Sequence, residues 1–235
     1  MSEFTEKNPK YFYDADEFPE LLVFEQRADA IRNEFLKVKE NNLGFWLDTF
    51  PHYVDKSSKN KWKVFSFRFF GIDNPINHSL CPVTSTLIKS NANIISADFS
   101  YIPPHTKILP HKGFTKMVLR VHLGLIIPEG DMGIRVGNMV KKWQEGKLLI
   151  LDDSFEHEAW NNTDYDRVVL MFDIVNPRWE YSADEINRYK IENMQDEYIL
   201  QLMPREKWLE CLNQKTFDVE YLKNKITIVQ NIFQK

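Results

Sequence analysis

Four of the six histidines, His105, His111, His122 and His157, fall in the middle of the chain, among segments whose alternation reads as β-strand. A histidine on a strand is more often a satisfied structural residue than a ligand, so its position has to argue for chemistry. In MVLRVHLGL the two-residue period puts Arg120, His122 and Gly124 on one face and Leu119, Val121, Leu123 and Leu125 on the other. The segment from Arg167 behaves alike, with Arg167, Val169, Met171 and Asp173 opposite Val168, Leu170, Phe172 and Ile174. If the apolar faces pack outward against helices or a second sheet, two guanidiniums and an imidazole look into one interior. An unpaired cation there is costly, so an anion is expected nearby. Asp173 is one candidate, as the partner of Arg167; a dicarboxylate ligand, read by bidentate contacts from both guanidiniums, is the other. The pattern leaves both open.

His111 follows Pro110 just ahead of the Met117 strand, and His157 lies in DDSFEHEAW just after the strand from Lys147. Both positions are where loops meet strands at a barrel mouth, which suits metal ligands. Two imidazoles with open remaining positions favour a borderline transition metal such as Fe(II), although ligand chemistry alone also allows zinc. The residues themselves therefore point to a histidine metal site beside an anion pocket.

The elements that must hold these residues are mainly strands. Strand patterns run from Trp62 to Phe70, Ile94 to Tyr101, Met117 to Ile127, Gly133 to Asn138, Lys147 to Asp152 and Arg167 to Val175, separated by turn-rich segments. Short strands without alternating helices predict a mainly-β double-stranded β-helix, or jelly roll, rather than βα units. Upstream, Phe24, Ala28, Ile31, Phe35 and Val38 predict one amphipathic helix over 17–40. Downstream, Ser182 with Glu185 forms a capping box, and Val219, Leu222, Ile226, Val229 and Phe233 form a helical stripe. We expect residues 1–180 to form the catalytic unit and 181–235 a helical extension packed on it.

A chain of 235 residues, 43% apolar and 27% charged, is expected to form one soluble domain with a sizeable core. A net charge of −4 gives no basic face for nucleic acid. Cys81 and Cys211 stand in unrelated contexts and suggest neither a disulfide scaffold nor a zinc cluster. The N-terminus has no signal-peptide pattern, and no run approaches the ~18 apolar residues of a membrane span, so a cytoplasmic, unanchored protein is expected. The oligomeric state is open.

The segments PHKGFTKMVLRVHLGLIIP, WQEGKLLILDDSFEHEAWN and RVVLMFDIVNP, in that order, closely resemble the core of the aspartyl/asparaginyl β-hydroxylases, and a weaker likeness extends the match over roughly Trp62 to Pro177. The resemblance implies a dioxygenase that uses Fe(II), 2-oxoglutarate and O₂ on a double-stranded β-helix, with iron held by two histidines and no carboxylate. It makes His111 and His157 the iron ligands, with Gly113 where the acid of the usual His-x-Asp pattern would stand. It also implies Ser100 and Arg167 at the distal carboxylate of oxoglutarate, and Arg120 and His122 at the end that chelates iron. The implied reaction hydroxylates an unactivated carbon, first of all the β-carbon of an Asp or Asn residue, whether peptidyl, carrier-bound or free. One of Asp152, Asp153 and Glu156 is expected to orient a ligand histidine. Trp143 and Trp160 are expected to pack or anchor loops, and His105 to be structural. The rival readings are a catalytically silent barrel that binds a dicarboxylate or metal, and a zinc hydrolase using the same two histidines.

Overall fold

The computed structural model describes residues 9–233 apart from 49 and 59, and side chains as far as 226. In chain order its elements are β1 (Phe12–Tyr13), α1 (Leu22–Gln26), α2 (Ala28–Glu40), β2 (Trp46–Asp48), β3 (Lys63–Phe69), β4 (Ile72–Asp73), α3 (Pro75–Leu80) and α4 (Pro82–Ser90). The central strands follow: β5 (Ile94–Ile102), β6 (Thr106–His111), β7 (Val118–Ile126), β8 (Met132–Val136), β9 (Met139–Lys141), β10 (Leu148–Leu151), β11 (His157–Asn161) and β12 (Arg167–Val175). Four helices close the chain: α5 (Ala183–Glu192), α6 (Glu197–Leu202), α7 (Arg205–Gln214) and α8 (Val219–Phe233). The eight-stranded sheet runs β1-β10-β7-β12-β5-β3-β2 with β4 on β3, and the four-stranded sheet runs β6-β11-β8-β9. This is the mainly-β jelly-roll architecture that the short strands predict.

Two layers of packing fix which face of the large sheet is interior. Leu119, Val121 and Leu123 of β7 and Val168, Leu170 and Phe172 of β12 bury themselves against Phe24, Ile31, Phe35 and Val38. The apolar faces therefore look outward onto the N-terminal helices, as the alternation requires. The opposite face is aligned by register: Asp173 stands opposite Arg120, Met171 opposite His122, and Val169 opposite Gly124 and Ser100. A further apolar cluster, with Ile108, Ile134, Val136 and Ala159 from the small sheet and Leu149, Leu151 and Val169 from the large one, joins the two sheets.

The helix expected over 17–40 is in fact two, broken at Arg27 (φ −109°, ψ 6°). The apolar spacing survives the break because α1 lies on β10 and α2 on β7, so one stripe follows a twisted sheet. The segments 75–90 and 106–111 are helix and strand where the sequence reading had neither. Their cues are local: Asn74 caps α3 by accepting from the Ile76 and Asn77 amides, and Pro75 and Pro82 stand at first helical positions. The capping box at Ser182 and Glu185 is present, and α8 is helical through Phe233, although the side chains of Val229 and Phe233 lie outside the described residues.

Gly124 is required by close backbone approach. Its amide donates to the Lys147 carbonyl and its carbonyl accepts from Gly146, so the chain at 144–147 crosses directly over it. A Cβ built there would sit 2.1 Å from the Gln144 carbonyl oxygen. Gly124→Ala is accordingly expected to lose about 3 kcal/mol, read as a lower urea midpoint, because backbone rather than a mobile side chain must give way. Unchanged stability would show that the 144–147 crossing moves freely.

Candidate active site

His111 is the last residue of β6 and His157 the first of β11, and antiparallel register makes them direct partners. Their rings lie side by side, centroids 4.2 Å apart. Each Nδ1 donates to the carbonyl two residues back, His111 to Leu109 at 2.8 Å and His157 to Phe155 at 3.0 Å. A carbonyl only accepts, so both rings are held as the Nδ1–H tautomer with the Nε2 lone pair free. Burial pushes the His111 ring down to about 3 and the His157 ring to about 4, so both are neutral near pH 7, the form that binds metal. Tyr53 stacks on His111 at 4.4 Å, a contact without local sequence signal.

The position expected to lack an acid is filled from another direction. Gly113 donates its amide to the Asp153 carbonyl at 2.7 Å, and a Cβ there would lie 2.5 Å from the Asp153 carboxylate. Gly113 thus leaves room for the Asp153 side chain, which turns to Arg120. None of the three acids named in the sequence orients a ligand histidine, because backbone carbonyls hold both Nδ1 atoms: Asp153 turns to Arg120, Asp152 accepts from Ser154, and Glu156 pairs with Arg135. Gly113→Asp should be destabilising by about 3 kcal/mol or more, because it adds a second buried carboxylate against the first. Gly113→Asp combined with Asp153→Gly should recover much of the lost urea midpoint. Equal midpoints for the single and double variants would contradict this cause.

Arg120 enters the same cavity as His111, but carboxylates already hold it. Its Nε and Nη2 reach Asp173 at 2.9 and 3.2 Å, and its Nη1 reaches Asp153 at 2.9 Å. Lys190, brought in by α5, adds a contact to Asp173 at 3.4 Å. Asp153, Arg120, Asp173 and Lys190 thus alternate in sign in a buried row, and Asp173, which the strand pattern offered as a partner for Arg167, pairs with Arg120 instead because register sets the two directly opposite.

Arg167 has no such partner. It is 2% exposed, no described carboxylate pairs with it, its Nε lacks a hydrogen-bond partner, and its Nη1 makes only long contacts to the Ser100 carbonyl and Oγ, 3.3 and 3.5 Å. The guanidinium lies 4.3 Å over the Trp143 ring, and Trp62 donates to Ser100 Oγ at 3.0 Å. Burial without a counter-charge lowers the pKa of Arg167. The Trp143 indole also donates to His122 Nδ1 at 2.9 Å, which puts the His122 proton on Nε2, a buried donor with no protein acceptor. Two orphaned donors and a serine hydroxyl therefore converge from one sheet face, as a small anionic ligand requires.

The structure brings His111, His157, Arg120, His122, Ser100 and Arg167 to one interior. His105 lies apart, exposed and paired with Asp164, and Trp160 donates to Asp131 at the loop it anchors. Tyr53 and Lys190 were missed because they reach the site from distant segments. Among the described residues no group of three or more His, Cys, Asp or Glu is placed to hold a metal ion, so any metal here rests on the two imidazoles.

The sequence profile of the aspartyl/asparaginyl β-hydroxylases matches residues 25–177, well over half of the chain. The chain belongs to this family. Among its relatives, the ornithine lipid ester-linked acyl 2-hydroxylase of Rhizobium tropici is 40% identical over 169 residues, covering 70% of this chain and 60% of that protein. Human aspartyl/asparaginyl β-hydroxylase is 34% identical over 158 residues, covering 65% of this chain and 20% of that protein. The match thus spans only part of both relatives. A 2-oxoglutarate–Fe(II) oxygenase-family oxidoreductase from Burkholderia pseudomallei is a distant structural neighbour, with TM-score 0.36 and 11% identity over 52% of this chain and 71% of that one. The β-hydroxylase match ends before α5, so the helices from α5 to α8, including the one that carries Lys190, lie beyond it. No helix among the described residues is long and apolar enough to cross a membrane.

Proposed function

We propose that this β-hydroxylase family member is an Fe(II)- and 2-oxoglutarate-dependent dioxygenase that hydroxylates an unactivated carbon. The observation that carries the reading is the buried, unpaired Arg167 together with a pair of histidines with free Nε2 atoms, His122 lying within electrostatic reach of both Arg167 and His157. The donor set fits both groups. His111 and His157 are the residues that would hold iron, and Arg167 with Ser100 would hold the distal carboxylate of oxoglutarate, with the His122 Nε2–H and Arg120 toward its other end. Arg120 serves there only in company with Asp153 and Asp173, which hold its side chain in place.

Bound iron would supply the oxidising chemistry: one O₂ is divided between the substrate C–H bond, which becomes C–OH, and oxoglutarate, which becomes succinate and CO₂. The protein's own residues position and shield. The Leu109 and Phe155 carbonyls hold the two imidazoles in the ligand tautomer, and the Trp62 and Trp143 indoles fix Ser100 and His122 while excluding water from the guanidinium. We take residues 181–235 as part of the same unit as 1–180, because Lys190 completes the buried charge row.

Family membership makes the β-carbon of an Asp or Asn residue the first substrate to try, and the name of the Rhizobium relative adds an acyl chain. The test is succinate release by protein purified without oxygen, then given Fe(II), oxoglutarate and O₂ with each substrate class. Substrate-stimulated succinate is expected. Oxoglutarate binding without any succinate would instead make the chain a binding module, and no binding at all would remove the reading.

A further inference from the structure

Arg167 is not the only buried charge without a partner on the inner face of the large sheet. Asp98 of β5 is 8% exposed and lines the cavity that contains His111 and Arg120. The cation that bears on it, Arg120, is already shared between Asp153 and Asp173, and Lys190 pairs with Asp173. Among the described residues Asp98 therefore has no counter-charge of its own. Burial pushes its carboxyl up to about 7, and the Ser66 hydroxyl, directly opposite on β3, offsets only part of this. That hydroxyl is itself buried without a well-formed hydrogen bond. Native interiors satisfy nearly all such groups, so an orphaned pair at a cavity wall points to a molecule that enters the cavity.

Strand register separates this pair from the cofactor pocket. One row crosses four strands, with Ser66 opposite Asp98, Asp98 opposite Met171, and Met171 opposite His122. Ser100, which contacts the Arg167 guanidinium, lies two residues further along β5 on the same face, and Arg167 itself stands opposite Ile102. At ~3.3 Å per residue these positions are about 7 and about 13 Å from Asp98 along the strand. An anion held at Arg167 thus leaves Asp98 free to read a second molecule. Phe50, Trp62 and Phe69 line the same cavity as Asp98. Their rings accept a cation or the N–H edge of an amide and give a carboxylate no donor but the Trp62 indole, which is engaged by Ser100.

We propose that Asp98 and Ser66 form a substrate-recognition site for a group carrying N–H donors, an ammonium or a carboxamide, and that Asp98 excludes a carboxylate from the same place. The proposal rests on the hydroxylase reading for the reaction that follows, but not for the binding. An amide supplies two donors for the Asp98 carboxylate and an acceptor for the Ser66 hydroxyl. An ammonium supplies three donors and the counter-charge that Asp98 lacks. A substrate carboxylate would instead make a like-charge contact away from bulk water, so between Asp and Asn side chains this site selects Asn.

The test is calorimetry on the full-length, metal-loaded, oxygen-free protein with saturating oxoglutarate. The probes are the N-acetyl methylamides of asparagine, aspartate and 2,4-diaminobutyrate, which differ little in size and present an amide, a carboxylate and an ammonium. The asparagine and diaminobutyrate compounds should bind at least about tenfold more tightly than the aspartate compound, and the tighter of the two tells amide from ammonium. Asp98→Asn, which keeps the shape and removes the charge, should weaken the diaminobutyrate compound at least about tenfold and tighten the aspartate compound, with oxoglutarate affinity within about threefold of the parent. Ser66→Ala should weaken the asparagine compound by about three- to tenfold, the worth of one hydrogen bond. Equal affinities for the three compounds, preference for the aspartate compound, or no binding by any of them up to about 10 mM would overturn the proposal, and none of these outcomes needs a variant to fold. Unchanged selectivity in a folded Asp98→Asn protein would also sink it. Binding requires no turnover, so the two readings fail separately. The expected order of affinities without succinate release after O₂ is admitted removes the hydroxylase and keeps the site; succinate released preferentially with the aspartate compound removes the site and keeps the hydroxylase.

Discussion

Arg167→Met is expected to weaken oxoglutarate binding by at least about 100-fold while leaving the ligand-free protein as stable as the parent, or more so. The two halves have one cause. In the free protein the guanidinium is buried with no described carboxylate, one orphaned nitrogen, and contacts to Ser100 near the limit of hydrogen bonding. Such a charge costs folding energy until an anion arrives. A dicarboxylate would meet it in a water-poor setting, where truncating one partner of a charge pair commonly costs 2–5 kcal/mol or more, which converts to roughly 30- to 4,000-fold in affinity. Methionine keeps most of the stem, so the Trp143 face stays covered. Calorimetry on metal-loaded, oxygen-free protein gives the affinity, and thermal unfolding with and without oxoglutarate gives the stability. The parent should gain about 2.7 kcal/mol at 100 times its Kd and the variant, at the same concentration, no more than about 0.4 kcal/mol. An affinity within threefold of the parent would take Arg167 out of the cofactor pocket.

His157→Ala and His111→Ala should each reduce succinate formation to background and weaken metal binding by about 100-fold or more. Each removes one of only two imidazoles that the strand register places side by side, and no third described donor stands ready to compensate. Loss of a residue that merely orients a ligand already costs 10- to 100-fold in many metal sites, so loss of the ligand itself should exceed that. His105→Ala provides the contrast, since that ring is exposed and paired with Asp164; its metal content and activity should match the parent. Metal content after dialysis separates a lost ligand from a lost fold, which circular dichroism reports. A fully active His157→Ala would remove that residue from the metal site.

Much of this site was legible along the chain because strands repeat every two residues. The alternation in β7 and β12 tells which side chains share a face, and the packing of Leu119, Val121, Leu170 and Phe172 on the N-terminal helices confirms which face is interior. His111 and His157 were placed at strand ends, as they are, although the strands β6 and β11 that carry them went unread. TKILPH contains a proline and a lysine where an alternating pattern would be sought, and HEAWN follows a turn-rich run, so neither has a clean period. The break at Arg27 was invisible for the opposite reason: the apolar stripe runs straight through it.

What pairs with each arginine was beyond the chain's local pattern. Arg120 and Arg167 look alike in sequence, each a cation on the inner face of a strand. Register sets Asp173 directly opposite Arg120, and the loop before β11 delivers Asp153 to its other side, whereas Arg167 stands opposite Ile102 and meets only Ser100 and Trp143. One cation is thereby neutralised within the protein and the other left waiting for a ligand.

The sequence by itself determined the histidine pair, the glycine at 113, the inward arginines and the strand-rich fold, because residue type and a short period carry that information. Only the tertiary structure decided that Asp153 occupies the room beside Gly113 and that Lys190 closes the charge row. These depend on contacts between segments far apart in the chain, which alternation and spacing do not encode.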